Sequence, residues 1–148
     1  MPYNEANGKS CTRRLTFCAG HRVWGHESKC ANIHGHNYVV KIEAEAEIGL
    51  DAIGRVVDFS VLKERVGGWI EHFWDHGFIG HREDWQVRGA VESIPGQKHY
   101  WLPYNPTAEN MAAYLLEVIC PQVLQGTGAV VQRVVIGETE NCEASAWF

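Results

Sequence analysis

Within Cys30-Ala-Asn-Ile-His34-Gly-His36 a thiol and two imidazoles crowd into seven residues. Histidines at i and i+2 diverge on a helix but share one face of a strand, so their rings converge if the segment is extended. A third imidazole, His21, ends an alternating segment in which Leu15, Phe17 and Ala19 share its parity. If the two segments pair as a hairpin, the three rings meet. Three neutral imidazoles without a carboxylate suit zinc, and three protein ligands leave a fourth position open, as in catalytic rather than structural sites. His21, His34 and His36 are therefore the candidate zinc ligands. Cys30 has three readings: a fourth ligand that closes the site, a proton-transferring thiolate beside a Lewis acid, or an inert thiol.

Other residues carry weaker signals. Asp75-His76 pairs a carboxylate with an imidazole it can orient for acid/base work, although adjacent residues need not face each other and the pair also reads as helix-end punctuation before Gly77. Glu138 shares the parity of Val134 and Ile136. A buried carboxylate there needs matching donors, and a ligand edge with two N–H groups fits its two oxygens; a solvated acid at a strand end is the plainer account. Thr107 reads as an N-cap and Glu109 as helix-dipole compensation. His26, His72, His81 and His99 have no partner in sequence, and the six tryptophans read as core.

The elements that must position these residues follow from period and punctuation. A strand ends at His21, and a second runs from His34 with Tyr38, Val40, Ile42, Ala44, Ala46 and Ile48 on one side and Lys41, Glu43, Glu45 and Glu47 on the other. Asp58 caps a helix whose apolar positions Phe59, Leu62, Val66, Trp69, Ile70 and Phe73 recur at helical spacing. The polar stretch from Gly80 to Asn105 is long enough to be a functional loop or to hold a small element of its own. Thr107 opens a second helix that Pro121 is expected to stop. The β-branched run from Ala129 to Ile136 and the segment from Cys142 to Phe148 read as closing strands. The order ββααββ implies an α+β fold with antiparallel hairpins, not a wound parallel sheet.

Composition bounds the function. With 148 residues the chain fits one domain, 1–148. A net charge of -5 with scattered Lys and Arg lacks the footprint of a nucleic-acid binder. No apolar run approaches the roughly 20 residues of a membrane span, and the polar start MPYNEANGKS is unlike a signal peptide, so a cytoplasmic protein is expected. Five cysteines without CxxC spacing argue against a disulfide framework.

Phe17-x-Ala19-x-His21, Cys30-x3-His34-Gly-His36-Asn-Tyr38, Val57-Asp58-Phe59, Asp75-His76, Asn105-Pro-Thr-Ala-Glu-Asn110 and Glu138-Thr139, in that order, resemble the 6-pyruvoyl-tetrahydropterin synthase / 6-carboxy-tetrahydropterin synthase family from about residue 12 to the end. The resemblance implies the tunnelling fold (T-fold): a four-stranded antiparallel sheet with two helices on one face, assembling into a barrel as a homo-oligomer, trimer or hexamer. It implies zinc on His21, His34 and His36, Cys30 as the proton-abstracting group, and Asp75 and His76 completing a proton relay. Glu138 then anchors the pterin, with Thr107 and Glu109 assisting. The implied substrate is 7,8-dihydroneopterin triphosphate. The three-residue gap between Cys30 and the His-Gly-His resembles the carboxy type of queuosine biosynthesis, which releases acetaldehyde and triphosphate; the pyruvoyl synthase and a non-catalytic zinc-stabilised module are the alternatives. Trp74, where bacterial members often carry Leu, and the long 80–103 stretch depart from the pattern near the presumed active-site rim. Arg13, Arg22 and Lys29 are nearby basic candidates for the triphosphate.

Overall fold

The computed structural model describes residues 8–148; the first seven residues of the expected 1–148 domain, within its polar start, lie outside the described residues. Strand β1 (Cys11–His21) and strand β2 (His34–Ala46) pair antiparallel without a break from Cys11 opposite Ala44 to His21 opposite His34. The alternation along β2 is real as far as Ala44, whose side it shares with buried Tyr38, Val40 and Ile42; Ile48 lies past the strand and is 97% exposed. Helix α1 (59–73) begins where Asp58 accepts a bond from the Ser60 N–H, and it widens into a π turn over Lys63–Gly67 before closing as Gly68–Phe73.

The 80–105 stretch carries elements of its own. Strand β3 (Gly77–His81) and strand β4 (His99–Leu102) flank helix α2 (Trp85–Glu92). Helix α3 (108–123) is capped by Thr107, whose hydroxyl accepts from Asn110 N. Pro121 does not stop it. A π turn at Leu115–Ile119 restarts the bond register, so Pro121 falls in the first turn of the closing segment Cys120–Val123, where its missing N–H is not needed. Strands β5 (Ala129–Thr139) and β6 (Cys142–Trp147) complete one sheet, ordered β4-β3-β1-β2-β5-β6. The four expected strands form its antiparallel part, β1-β2-β5-β6. The sheet is wider than the expected four strands, because β3 and β4 extend it with parallel pairings.

Helices α1 and α3 share one face, as expected. Leu62, Val66, Ile70, Met111, Leu115 and Leu116 pack with Phe17, Tyr38, Val40, Ile42, Val134 and Ile136 in one buried cluster. Neighbouring residues of β3 and β4 point to opposite faces: Ile79 and Leu102 join that core, while Phe78 and Trp101 meet Val87 and Val91 of α2 in a second cluster. Trp74 belongs to the main core and not to a rim. It is fully buried, with Phe17, Trp69 and Tyr100 ring centroids within 6.3 Å.

Candidate active site and metal centre

The β1–β2 register places His21 directly opposite His34, and His36 lies two residues further along β2 on the same side. Gly35 makes the close pairing possible, since a Cβ there would stand 3.1 Å from the Ala19 carbonyl oxygen. The three rings meet with centroids 4.6, 5.0 and 4.9 Å apart, and one nitrogen from each lies within 4.8 Å of the others. Cys30, on a 3-10 turn at Lys29–Ala31, is outside this group.

The hydrogen bonds behind the rings orient them. His21 Nδ1 donates to the Pro106 carbonyl at 2.8 Å, and His34 Nδ1 donates to the Asn32 carbonyl at 2.7 Å. With both Nδ1 atoms protonated, the two Nε2 atoms present lone pairs to each other at 3.1 Å, an arrangement that repels unless a cation lies between them. His36 Nε2 is buried with no hydrogen-bond partner. Burial drives the His21 pKa down to about 4, with His34 and His36 adding to the shift against the opposing Pro106 bond. Burial also lowers that of His36, against the pull of Glu138. Burial that disfavours the charged forms of His21 and His36, hydrogen bonds behind His21 and His34, and an unpartnered His36 Nε2 together fit a divalent metal ion.

Two further features shape the centre. Glu138 Oε2 approaches His36 Nε2 to 3.7 Å, at a point where β5 slips register against β6 between Gly137 and Thr139. The Asn105-to-Asn110 motif turns out to be a brace. Asn105 accepts from Trp24 N and donates to the Trp24 carbonyl, both at 2.8 Å, while Asn110 Nδ2 donates to the Asn105 carbonyl. This ties the loop carrying Pro106 to the end of β1 and so fixes the acceptor behind His21. The Thr107 hydroxyl is occupied as the helix cap, and Glu109 is exposed in the first turn of α3.

Asp75 and His76 sit where α1 hands over to β3. Asp75 Oδ2 lies 2.9 Å from His76 Nδ1, so the carboxylate does orient the imidazole. Their thiol neighbour within the chain is Cys18, on the face of β1 opposite His21: its Sγ is 3.5 Å from His76 Nε2, and its backbone N–H donates to Asp75 Oδ1 at 3.0 Å. Parity excluded Cys18 from the histidine trio, and nothing local in the sequence links it to a pair 57 residues away. Cys30 has no side-chain hydrogen bond among the described residues. The Arg22 guanidinium grips buried Asp84, the N-cap of α2, and so is committed to the fold. No helix among the described residues is long and apolar enough to cross a membrane.

Fold and site together define a tunnelling-fold chain with a three-histidine centre. The sequence matches the family described as 6-pyruvoyl tetrahydropterin synthase over residues 10–147, and the chain belongs to that family. It is 42% identical over 132 residues to the 6-carboxy-5,6,7,8-tetrahydropterin synthase of Rickettsia bellii, covering 89% of this chain and 95% of that one. Solved structures with the same fold include an uncharacterised protein of Wolinella succinogenes (TM-score 0.76, 24% identity, 94% of this chain and 97% of that one). The 6-pyruvoyl tetrahydropterin synthase of Caenorhabditis elegans also matches (TM-score 0.66, 24% identity, 95% of each chain).

Proposed function

We propose that the protein is a zinc-dependent 6-carboxy-5,6,7,8-tetrahydropterin synthase, converting 7,8-dihydroneopterin triphosphate to 6-carboxytetrahydropterin with release of acetaldehyde and triphosphate, in queuosine biosynthesis. The observation that supports the reading is the convergence of His21, His34 and His36, with His36 Nε2 unpartnered and the Nε2 atoms of His21 and His34 facing each other at 3.1 Å. The three-residue gap after Cys30 and the names of relatives at about 40% identity favour the carboxy product over the pyruvoyl one. Zinc held there supplies Lewis acidity for the hydroxylated side chain of the substrate.

The remaining work falls to the chain. Glu138 accepts from the 2-amino group and a ring N–H of the pterin, which fixes the ring with its side chain toward the histidines. Cys30 abstracts a side-chain proton, and His76, oriented by Asp75, returns one. Since Cys30 has no side-chain hydrogen-bond partner among the described residues, its link to Asp75 and His76 runs through bound substrate across a subunit boundary of a homo-oligomer, a trimer or hexamer in the cytoplasm.

Incubation with 7,8-dihydroneopterin triphosphate, with and without a chelator, tests the reading by mass analysis of products. Metal-dependent formation of 6-carboxytetrahydropterin is expected. The pyruvoyl compound as sole product would overturn the choice of reaction, and no turnover by zinc-loaded protein would overturn the function.

A further inference from the structure

The cluster Cys18, Asp75 and His76 offers a second set of metal ligands, with a thiol sulfur, an imidazole nitrogen and a carboxylate oxygen all within 4.8 Å of one another. We infer that this cluster is a second, lower-affinity site for a thiophilic divalent cation of the zinc class, and that filling it shuts the enzyme down by taking His76 out of proton transfer. The inhibitory half rests on the function proposed above; the binding half stands on geometry alone.

The spacings are those of a coordination shell. Ligands at about 2.3 Å for sulfur and 2.0–2.1 Å for nitrogen or oxygen, set at tetrahedral angles, stand about 3.6 Å apart. Cys18 Sγ lies 3.7 Å from His76 Nδ1 and 3.7 Å from Asp75 Oδ1. Those separations are long for strong hydrogen bonds, so the thiol is placed beside the other two groups without being committed to either. His76 Nδ1 also lies 2.9 Å from Asp75 Oδ2, so sulfur, imidazole nitrogen and carboxylate face one another, and a cation takes Nδ1 while the ring proton moves to Nε2.

The backbone holds the cluster in place at some cost. His76 has φ of 60°, the one non-glycine residue with positive φ among the described residues, a conformation that persists only where the surroundings impose it. Here they do: His76 N donates to the Cys18 carbonyl at 2.6 Å, and Cys18 N donates to Asp75 Oδ1. Burial alone would raise the Asp75 pKa, but bonds from Cys18 and the His76 ring outweigh it and keep the carboxylate ionised, ready to ligate. The site opens on a cavity of about 410 Å³ walled by Cys18, Gly20, Gly35, His36, Asn37 and His76, which leaves room for water as a fourth ligand. Binding requires no redox partner: the cation displaces the Cys18 thiol proton to solvent and forms a sulfur–metal bond.

Cobalt(II) distinguishes the two sites, because a shell of imidazoles produces no thiolate-to-cobalt charge-transfer absorption. Titrating metal-free protein with cobalt should fill the histidine site first and then raise that near-ultraviolet band during the second equivalent. The band should vanish in Cys18→Ser and in His76→Gln and survive in Cys30→Ser, with circular dichroism confirming that each variant is folded. Absence of the band in the wild type, or its loss in Cys30→Ser with retention in Cys18→Ser, would overturn the proposal; the latter would mean that Cys30 closes the histidine site. In the assay above, zinc beyond one equivalent should inhibit the wild type at least tenfold more strongly than Cys18→Ser, and equal inhibition would overturn the regulatory half. Failure of the zinc-loaded wild type to turn over the pterin would refute the proposed function and leave the cobalt result untouched.

Discussion

On the proposed function His21, His34 and His36 act as a unit, and the loss of any one is expected to cost the metal. His36→Ala should lower zinc affinity by more than 100-fold, since even an outer partner of a ligand is worth about 10–100-fold; elemental analysis after dialysis against a weak chelator reads the loss. pH acts on the same residues. The His21 pKa is about 4 in the folded chain against an ordinary value of 6.5. Above about pH 6.5 the residue is neutral folded or unfolded and its contribution is constant. As pH falls from about 6.5 to about 4, only the unfolded chain takes up the proton, so metal-free protein should lose stability, by at most about 3 kcal/mol from this residue. Denaturant midpoints measured across that range check the sign, and a midpoint that rises on acidification would contradict it. The trio was legible in the sequence because strand parity is a local rule. Cys18 was not, because its neighbours arrive through the parallel pairing of β1 with β3.

At the scale of elements, the loop before α3 contributes more than its caps suggest. Asn105→Ala removes both bonds to Trp24 and frees the Pro106 carbonyl behind His21. Zinc affinity should fall about tenfold or more with all three ligands intact, by the same logic of outer support, and competition with a metal-binding dye measures it. The β3–β4 extension depends on one close approach. A Cβ at Gly80 would stand 2.5 Å from the Trp101 ring and 3.1 Å from Phe78. Gly80→Ala should therefore destabilise the fold by about 1–3 kcal/mol through overpacking, read as a lowered midpoint with unchanged metal content. Period and capping located β1, β2, β5, β6, α1 and the start of α3. They missed β3 and β4 because strands of five and four residues with two buried faces or an edge position show no alternation. They misjudged Pro121 because a π turn is not written in apolar spacing.

For the whole molecule, the sheet is open, with β4 at one edge and β6 at the other. Unpaired edges invite other strands, and Trp147 and Phe148 beside β6 are 65% and 69% exposed. Light scattering should return a mass that is a multiple of 16.7 kDa, three or six chains on the family expectation; a monomer at micromolar concentration would contradict the assembly. By itself the sequence determined the histidine face of the hairpin, the α+β layering and the family motif order, because each rests on periods and spacings within a few residues of chain. Tertiary structure alone decided what stands behind and beside those residues: Pro106 supporting His21, Glu138 facing His36, and Cys18 joining Asp75 and His76. These contacts join positions 57 to 102 residues apart, and no local pattern records which distant segments a folded sheet will bring together.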